Sequence, residues 1–161
     1  MSSGGFSRRN REGLLDAVSV GFFLMLIGLL FVINTNLVDE ITNFFKDIVT
    51  VNVSTWNVML PKPADVGAHM VVYRAAEQFS LVWGVFLAAM LVIRFATESR
   101  IRKKAENIGD IVFWFGAAYM VQTWLIDKTK WFEFWAWIIM VLGISLITRA
   151  IVLAVARAIK K

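Results

Sequence analysis

LLDAVSVGFFLMLIGLLFVI, residues 14–33, carries a single charged residue, Asp16, at its start and no proline. A run of ~20 mainly apolar residues is what a ~30 Å hydrocarbon core requires of a helix. Three further runs, 79–96, 108–126 and 132–156, repeat the pattern. Hydrophobic residues make up 58 % of the 161-residue chain, above the ~45–50 % of soluble domains, and the four runs leave no room for a separate soluble domain. The sequence therefore predicts one membrane domain over 1–161: an all-α integral membrane protein, a left-handed antiparallel bundle of four transmembrane helices.

Charge placement sets the expected orientation. Arg8, Arg9 and Arg11 precede the first run. Arg94, Arg100, Arg102, Lys103 and Lys104 lie between the second and third, and Arg149, Arg157, Lys160 and Lys161 close the chain. The two opposite connectors carry more acids than bases. Basic loops stay cytoplasmic, so both termini are expected inside a multi-pass protein of the cell membrane. Bases spread over three short segments suit anionic lipid and not nucleic acid. The first run exceeds a 7–15-residue signal-peptide core and is read as a retained helix.

Residues 1–11 are polar and are expected to form a disordered cytoplasmic tail. In the outer loop, 34–69, the apolar residues Leu37, Val38, Ile41, Phe44, Phe45, Ile48 and Val49 recur at helical spacing, which predicts an amphipathic helix over 37–49 capped by Asn36. Asn52-Val53-Ser54 is a glycosylation sequon on the outer side. Pro61 and Pro63 should break the chain before a helix running from about Ala64 to Ser99. Trp124, Trp131, Phe132, Phe134, Trp135 and Trp137 gather at the outer end of the last two runs, as interfacial belts do, and Trp114 falls towards the inner boundary.

Ionisable residues within spans are costly and mark candidate sites. Asp16, Arg94, Asp110 and Arg149 fall near the inner boundary, and Arg74, Glu77 and Glu133 near the outer one. Asn107 with Asp110 three residues on reads as a helix start, Arg74 and Glu77 as a local pair, and Arg94 and Arg149 as snorkelling cations. The functional reading of the same residues pairs Asp16 and Asp110 with Arg94 and Arg149 across helices, fixing a register or lining an inner vestibule. A faint echo, Glu12…Asp16 resembling Glu106…Asp110 and Arg94…Arg102 matching the spacing of Arg149…Arg157, is what a two-plus-two duplication would leave, but four apolar helices with basic inner ends also produce it by chance, and it is read as chance. Small residues form stripes, Ser80, Gly84 and Ala88 every four residues and Ala136, Gly143 and Ala150 every seven, which allow close helix approach.

The series Glu77…Trp83…Phe86…Arg94-Phe95…Asn107-Ile108-Gly109-Asp110-Ile111-Val112 resembles the second and third helices of voltage-sensor domains, a family that also has four helices with both termini inside. That resemblance implies the same helix count and orientation. Voltage sensing is not carried over. The family's fourth helix has arginine at every third position, whereas here Arg149 and Arg157 stand eight apart, and Phe86 and Leu87 occupy the region where its second helix holds another acid. A degenerate voltage-sensor-like domain is the most this allows.

Cysteine is absent and His69 is the single histidine, which removes disulfides, thiolate zinc sites, iron–sulfur clusters and a bis-histidine haem. No glycine-rich phosphate loop, His-Glu-x-x-His or Gly-x-Ser-x-Gly occurs. No catalytic residue, metal or cofactor is expected. A lipid-acting enzyme would have to use paired carboxylates such as Asp16 and Asp110. The middle of each span is free of charge and proline, unlike a coupled transporter. The expectation is a non-catalytic protein that works by helix–helix association, as an accessory or scaffold subunit or a self-assembling bundle, partnered by lipid and by its own copies or other membrane subunits. The alternative is an oligomeric channel or passive transporter.

Overall fold

The computed structural model describes residues 8–53, 58–97 and 99–159. Of the described residues, 83 % are helical. Helix α1 spans Arg8–Ile33, α2 Leu37–Lys46, α3 Met70–Ala96, α4 Ile101–Met120 and α5 Trp131–Ala158. Between α2 and α3 lies a two-stranded antiparallel ribbon, β1 Ile48–Val53 and β2 Val58–Pro63, followed by a 3₁₀ turn at Val66–His69. Helix α4 runs on into a π-wound segment, Val121–Asp127.

Among the described residues three helical stretches are long and apolar enough to cross a membrane: Glu12–Ile33, Val66–Ala96 and Trp131–Ala158. The fourth expected span, 108–126, falls in α4 and its π-wound continuation. Charged side chains fill the first turns of α4, where Arg102, Lys103, Lys104, Glu106 and Asp110 stand.

The ribbon corrects the expected all-α loop. Residues 48 and 49 belong to β1 and not to a helix over 37–49, which ends at Lys46. The run Ile48-Val49-Thr50-Val51 is β-branched throughout, and such side chains prefer a pleated surface. Pro61 and Pro63 lie within β2, where a two-stranded ribbon tolerates residues lacking an N–H because each strand has a free edge. Asn36 stands at the start of α2 but makes no side-chain cap. Of the expected tail, residues 8–11 are the first turn of α1, and residues 1–7 lie outside the described residues.

Helices α3, α4 and α5 pack in chain order, each antiparallel to the next, and α1 reaches the others chiefly through α3. At the ribbon end, Val66, Tyr73, Val121, Leu125 and Phe134 form a buried cluster. The α4–α5 turn is tight: Lys130 N donates to Trp124 O at 2.7 Å, and Thr129 takes a left-handed φ of 51°.

Candidate functional site

At the end of the molecule opposite the ribbon, four helix termini bring charged side chains together. Arg94, near the end of α3, donates from Nη2 to Asp16 Oδ1 of α1 at 3.0 Å. Lys103 of α4 reaches the other oxygen of Asp16 at 3.3 Å. Arg149 of α5 pairs with Asp110 of α4. Glu12 accepts from the backbone N of Arg100 at 3.2 Å, and Arg102 pairs with Glu106 at 3.0 Å. The spacing that makes this possible is helical: Lys103, Asn107 and Asp110 lie three or four residues apart, on one face of α4. Arg94, Lys103, Glu106, Asn107 and Asp110 line a polar cleft of about 110 Å³.

The two arginines differ in depth. The Arg94 side chain is 9 % exposed and that of Arg149 32 %. Both carry a buried Nε with no hydrogen-bond partner among the described residues. Burying a guanidinium is costly without counterions, and Asp16 and Asp110 supply them.

Other edge charges are arranged differently. Among the described residues neither Arg74 nor Glu77 enters an ion pair, so the expected local pair is absent; Arg74 is exposed and Glu77 partly buried. Glu133, in the first turn of α5, pairs with Lys130 at 3.5 Å. Asn107 is no helix start, because α4 begins at Ile101. It is 5 % exposed, and its Nδ2 donates to Leu87 O of α3 at 2.9 Å. The amide thereby answers a polar demand between two helices, where the sequence offered only a plausible cap.

The small-residue stripes divide. Ser80 and Gly84 are buried in α3. A Cβ added at Gly84 would meet the Phe115 ring at 3.3 Å, so Gly84 makes room for a side chain within the chain; Ala88 is partly buried. Ala136 and Ala150 are exposed, and nothing lies within 4 Å of a Cβ built on Gly143. Two glycines that the stripe pattern missed take side chains of α5 directly against their backbone. A Cβ on Gly109 would collide with the Arg149 side chain, and one on Gly116 would stand 2.5 Å from a Val141 methyl. Ser145, 1 % exposed, donates to Gly109 O at 2.8 Å and closes that contact. The pair Gly109…Gly116 has the seven-residue spacing that could have revealed it.

The ribbon end has its own polar knot. Asp47 precedes β1, and Ala64 and Asp65 follow β2. Ala64 N donates to Asp47 O at 2.9 Å, Asp65 N to Asp47 Oδ2 at 3.1 Å, and His69 Nε2 lies 2.9 Å from the same oxygen. A carboxylate only accepts, so Nε2 carries the proton of that bond. The His69 hydrogen bond, then the Asp65 N–H, hold the Asp47 carboxyl below the usual carboxylate range. His69 is thus 4 % exposed and engaged, not solvated. Trp114, expected near the inner boundary, instead stacks edge-on against Phe79 within the helical layer, at 5.5 Å. Among the described residues no group of histidines and carboxylates is placed to hold a metal ion.

Comparison with known proteins yields no match to any family model, curated protein or solved structure.

Proposed function

We propose that this chain is a small multi-pass protein of the cell membrane, with four spans and both termini cytoplasmic, that works without catalysis by helix–helix association as an accessory subunit or self-assembling bundle. Helix α4 with its π-wound continuation is the fourth span: residues 108–126 cover about 28 Å at ~1.5 Å per residue, close to a ~30 Å core, with Asp110 at its inner edge and the charged turns before it in the inner headgroups. The charge network then lies on the cytoplasmic side, where the basic loops belong.

One observation carries the association reading. Helix α5 buries Phe134, Val141 and Ser145 inside the chain. Ala136 and Gly143 follow Phe134 and Val141 by two positions, ~200° around a helix of 3.6 residues per turn. The stripe continued by Ala150 therefore faces away from the chain's own core, with open space at Gly143. A smooth seam of this kind lets a neighbouring helix approach closely, which is how membrane helices gain packing energy. Cross-linking in vesicles should capture a discrete oligomer or partner complex that Gly143→Leu abolishes while thermal unfolding of the chain is unchanged. A strictly monomeric chain, indifferent to Gly143→Leu and without a co-purifying subunit, overturns the reading.

The channel or passive-transporter alternative is favoured by a different observation, the polar cleft beside Asp110. It requires ion or solute flux in proteoliposomes that Asp110→Asn alters.

A further inference from the structure

Cross-strand partners share a face of an antiparallel ribbon. The register pairs Val49 with Lys62, Val51 with Leu60 and Val53 with Val58. One face is therefore aliphatic except for Lys62 at its base. The other pairs Ile48 with Pro63, Thr50 with Pro61 and Asn52 with Met59, a mixed face that bears the sequon asparagine. Among the described residues the sheet has these two strands and no third. On the aliphatic face Val49 is 42 % exposed, Val58 47 % and Leu60 38 %. A lone two-stranded ribbon is marginal in water without something to cover a hydrophobic face.

Its position says what covers it. Trp131 Nε1 donates to Pro61 O at 3.0 Å. Leu60 and Pro61 share an apolar recess of about 290 Å³ with Trp131, Phe132 and Trp135. The ribbon is thereby held level with the first turn of α5, where a belt of indole rings ends an apolar span, and the Asp47 knot fixes its base. Backbone chemistry narrows the depth. Free edge groups cannot be satisfied in hydrocarbon, so the ribbon does not enter the core. Pro61 and Pro63 alternate along β2 and so remove donors from one and the same edge, which makes that edge a poor template for an added strand of another protein. An aliphatic face, continuous with an indole belt and carrying a single basal lysine, matches the boundary between headgroups and acyl chains.

The geometry points to a lipid-seated ribbon: the face bearing Val49, Val51, Val58 and Leu60 binds the acyl boundary of the leaflet at the ribbon end, and the Thr50 face stays in water. This rests on the membrane reading above and adds to it an extra-helical contact with the lipid surface. With one lysine on the face, seating does not depend on anionic lipid.

The absence of native cysteine makes the test direct. Single-cysteine spin labels are placed on the full chain at Val49, Thr50, Val51, Val58 and Met59, with Leu24 of α1, 63 % exposed, as the span control. The protein is reconstituted in phosphatidylcholine vesicles, and collision with oxygen is compared with collision with a water-soluble nickel chelate. Labels at 49, 51 and 58 should favour oxygen several-fold over those at 50 and 59, a period of two along each strand. Equal nickel access on both faces overturns the proposal and puts the ribbon in water. Low access to both reagents at 49, 51 and 58 also overturns it, in favour of a protein cover. Nickel access at Leu24 overturns the membrane reading itself, so the two failures are distinct.

Discussion

Helices α1 and α3 are joined by an Asp–Arg pair at the end opposite the ribbon, and so are α4 and α5. Asp16 meets Arg94 in the first couple and Asp110 meets Arg149 in the second. Above these clasps the two couples differ. In α4–α5 the Arg149 and Val141 side chains lie directly on Gly109 and Gly116, and a hydroxyl of one helix bonds a carbonyl of the other. In α1–α3 the contact is made by rings: Phe22 stacks on Phe86 at 4.0 Å, and Phe23 meets Phe79 and Trp83 edge-on at 5.6 and 5.3 Å. The glycines of α1, Gly13, Gly21 and Gly28, face open space. Aromatic spacers hold the helices apart, and an apolar groove of about 380 Å³ opens beside them, bordered by Leu30, Leu37, Phe79 and Trp114. A charge pair thus fixes which ends meet, and the size of the facing residues fixes how closely the helices lie. The electrostatic element is shared; the packing is not.

The largest expected effect comes from forcing the two couples to behave alike. Gly116→Leu drives a branched side chain into Val141, whose methyl already lies 2.5 Å from where the new Cβ would stand. It should cost about 3 kcal/mol of stability, at the upper end of overpacking penalties. Gly28→Leu, the corresponding insult on α1, should change stability by less than about 0.5 kcal/mol because its Cβ enters open space. Detergent unfolding curves for the two variants measure the difference. Equal losses would mean that α1 is as closely packed as α5.

A middle-sized effect separates the clasps. Asp16→Asn leaves Arg94, nine-tenths buried, with a weaker partner, whereas Asp110→Asn leaves the more exposed Arg149. Both carboxylates are well exposed, 47 % and 40 %, so solvent screens each pair. The expected costs are about 1–2 kcal/mol for Asp16→Asn and about 0.5–1 kcal/mol for Asp110→Asn. A reversed order in a thermal or denaturant series would show that guanidinium depth does not govern the clasps.

Much of this comparison was legible in the chain. The apolar runs announced themselves, and Asp16, Arg94, Asp110 and Arg149 stood out as charges at span edges. What stayed hidden depends on non-local placement. Asn107 reads as a cap from its neighbours, and only the position of Leu87 O makes it an interhelical donor. A stripe of small residues shows that a helix can approach something, but not on which side its partner lies. Ser80–Gly84 therefore points inward, Ala136–Gly143–Ala150 outward, and the decisive Gly109 and Gly116 belong to neither. The ribbon was missed because Ile48 and Val49 satisfied helical periodicity and strand preference together, and the helical pattern was already running. Pro61 and Pro63 seemed to exclude order where they exclude only a partner on one edge.

The smallest effect is confined to the α1–α3 side, where Asp47 ties the end of α2 to the start of α3. Its carboxyl is held below the ordinary range in the folded chain by His69 first and the Asp65 N–H second. A lowered folded value means that the unfolded chain takes up the proton first as pH falls. The contribution is therefore complete above the ordinary carboxylate pKa of ~3.9 and disappears as pH drops through the lower folded value. Between pH 7 and about 5 this group should leave stability flat. Carbon-13 titration of Asp47 in micelles should give a midpoint below that of an unfolded reference, moving back towards it in His69→Ala. Along the same acid titration, amide shifts near Asp65 should change while those around Val141 remain fixed, because α5 meets α4 there through an aliphatic side chain on Gly116 and no charge. A midpoint unmoved by His69→Ala would remove the imidazole from the knot, and Val141 shifts that follow Asp47 would mean that the two couples answer to acid as one body.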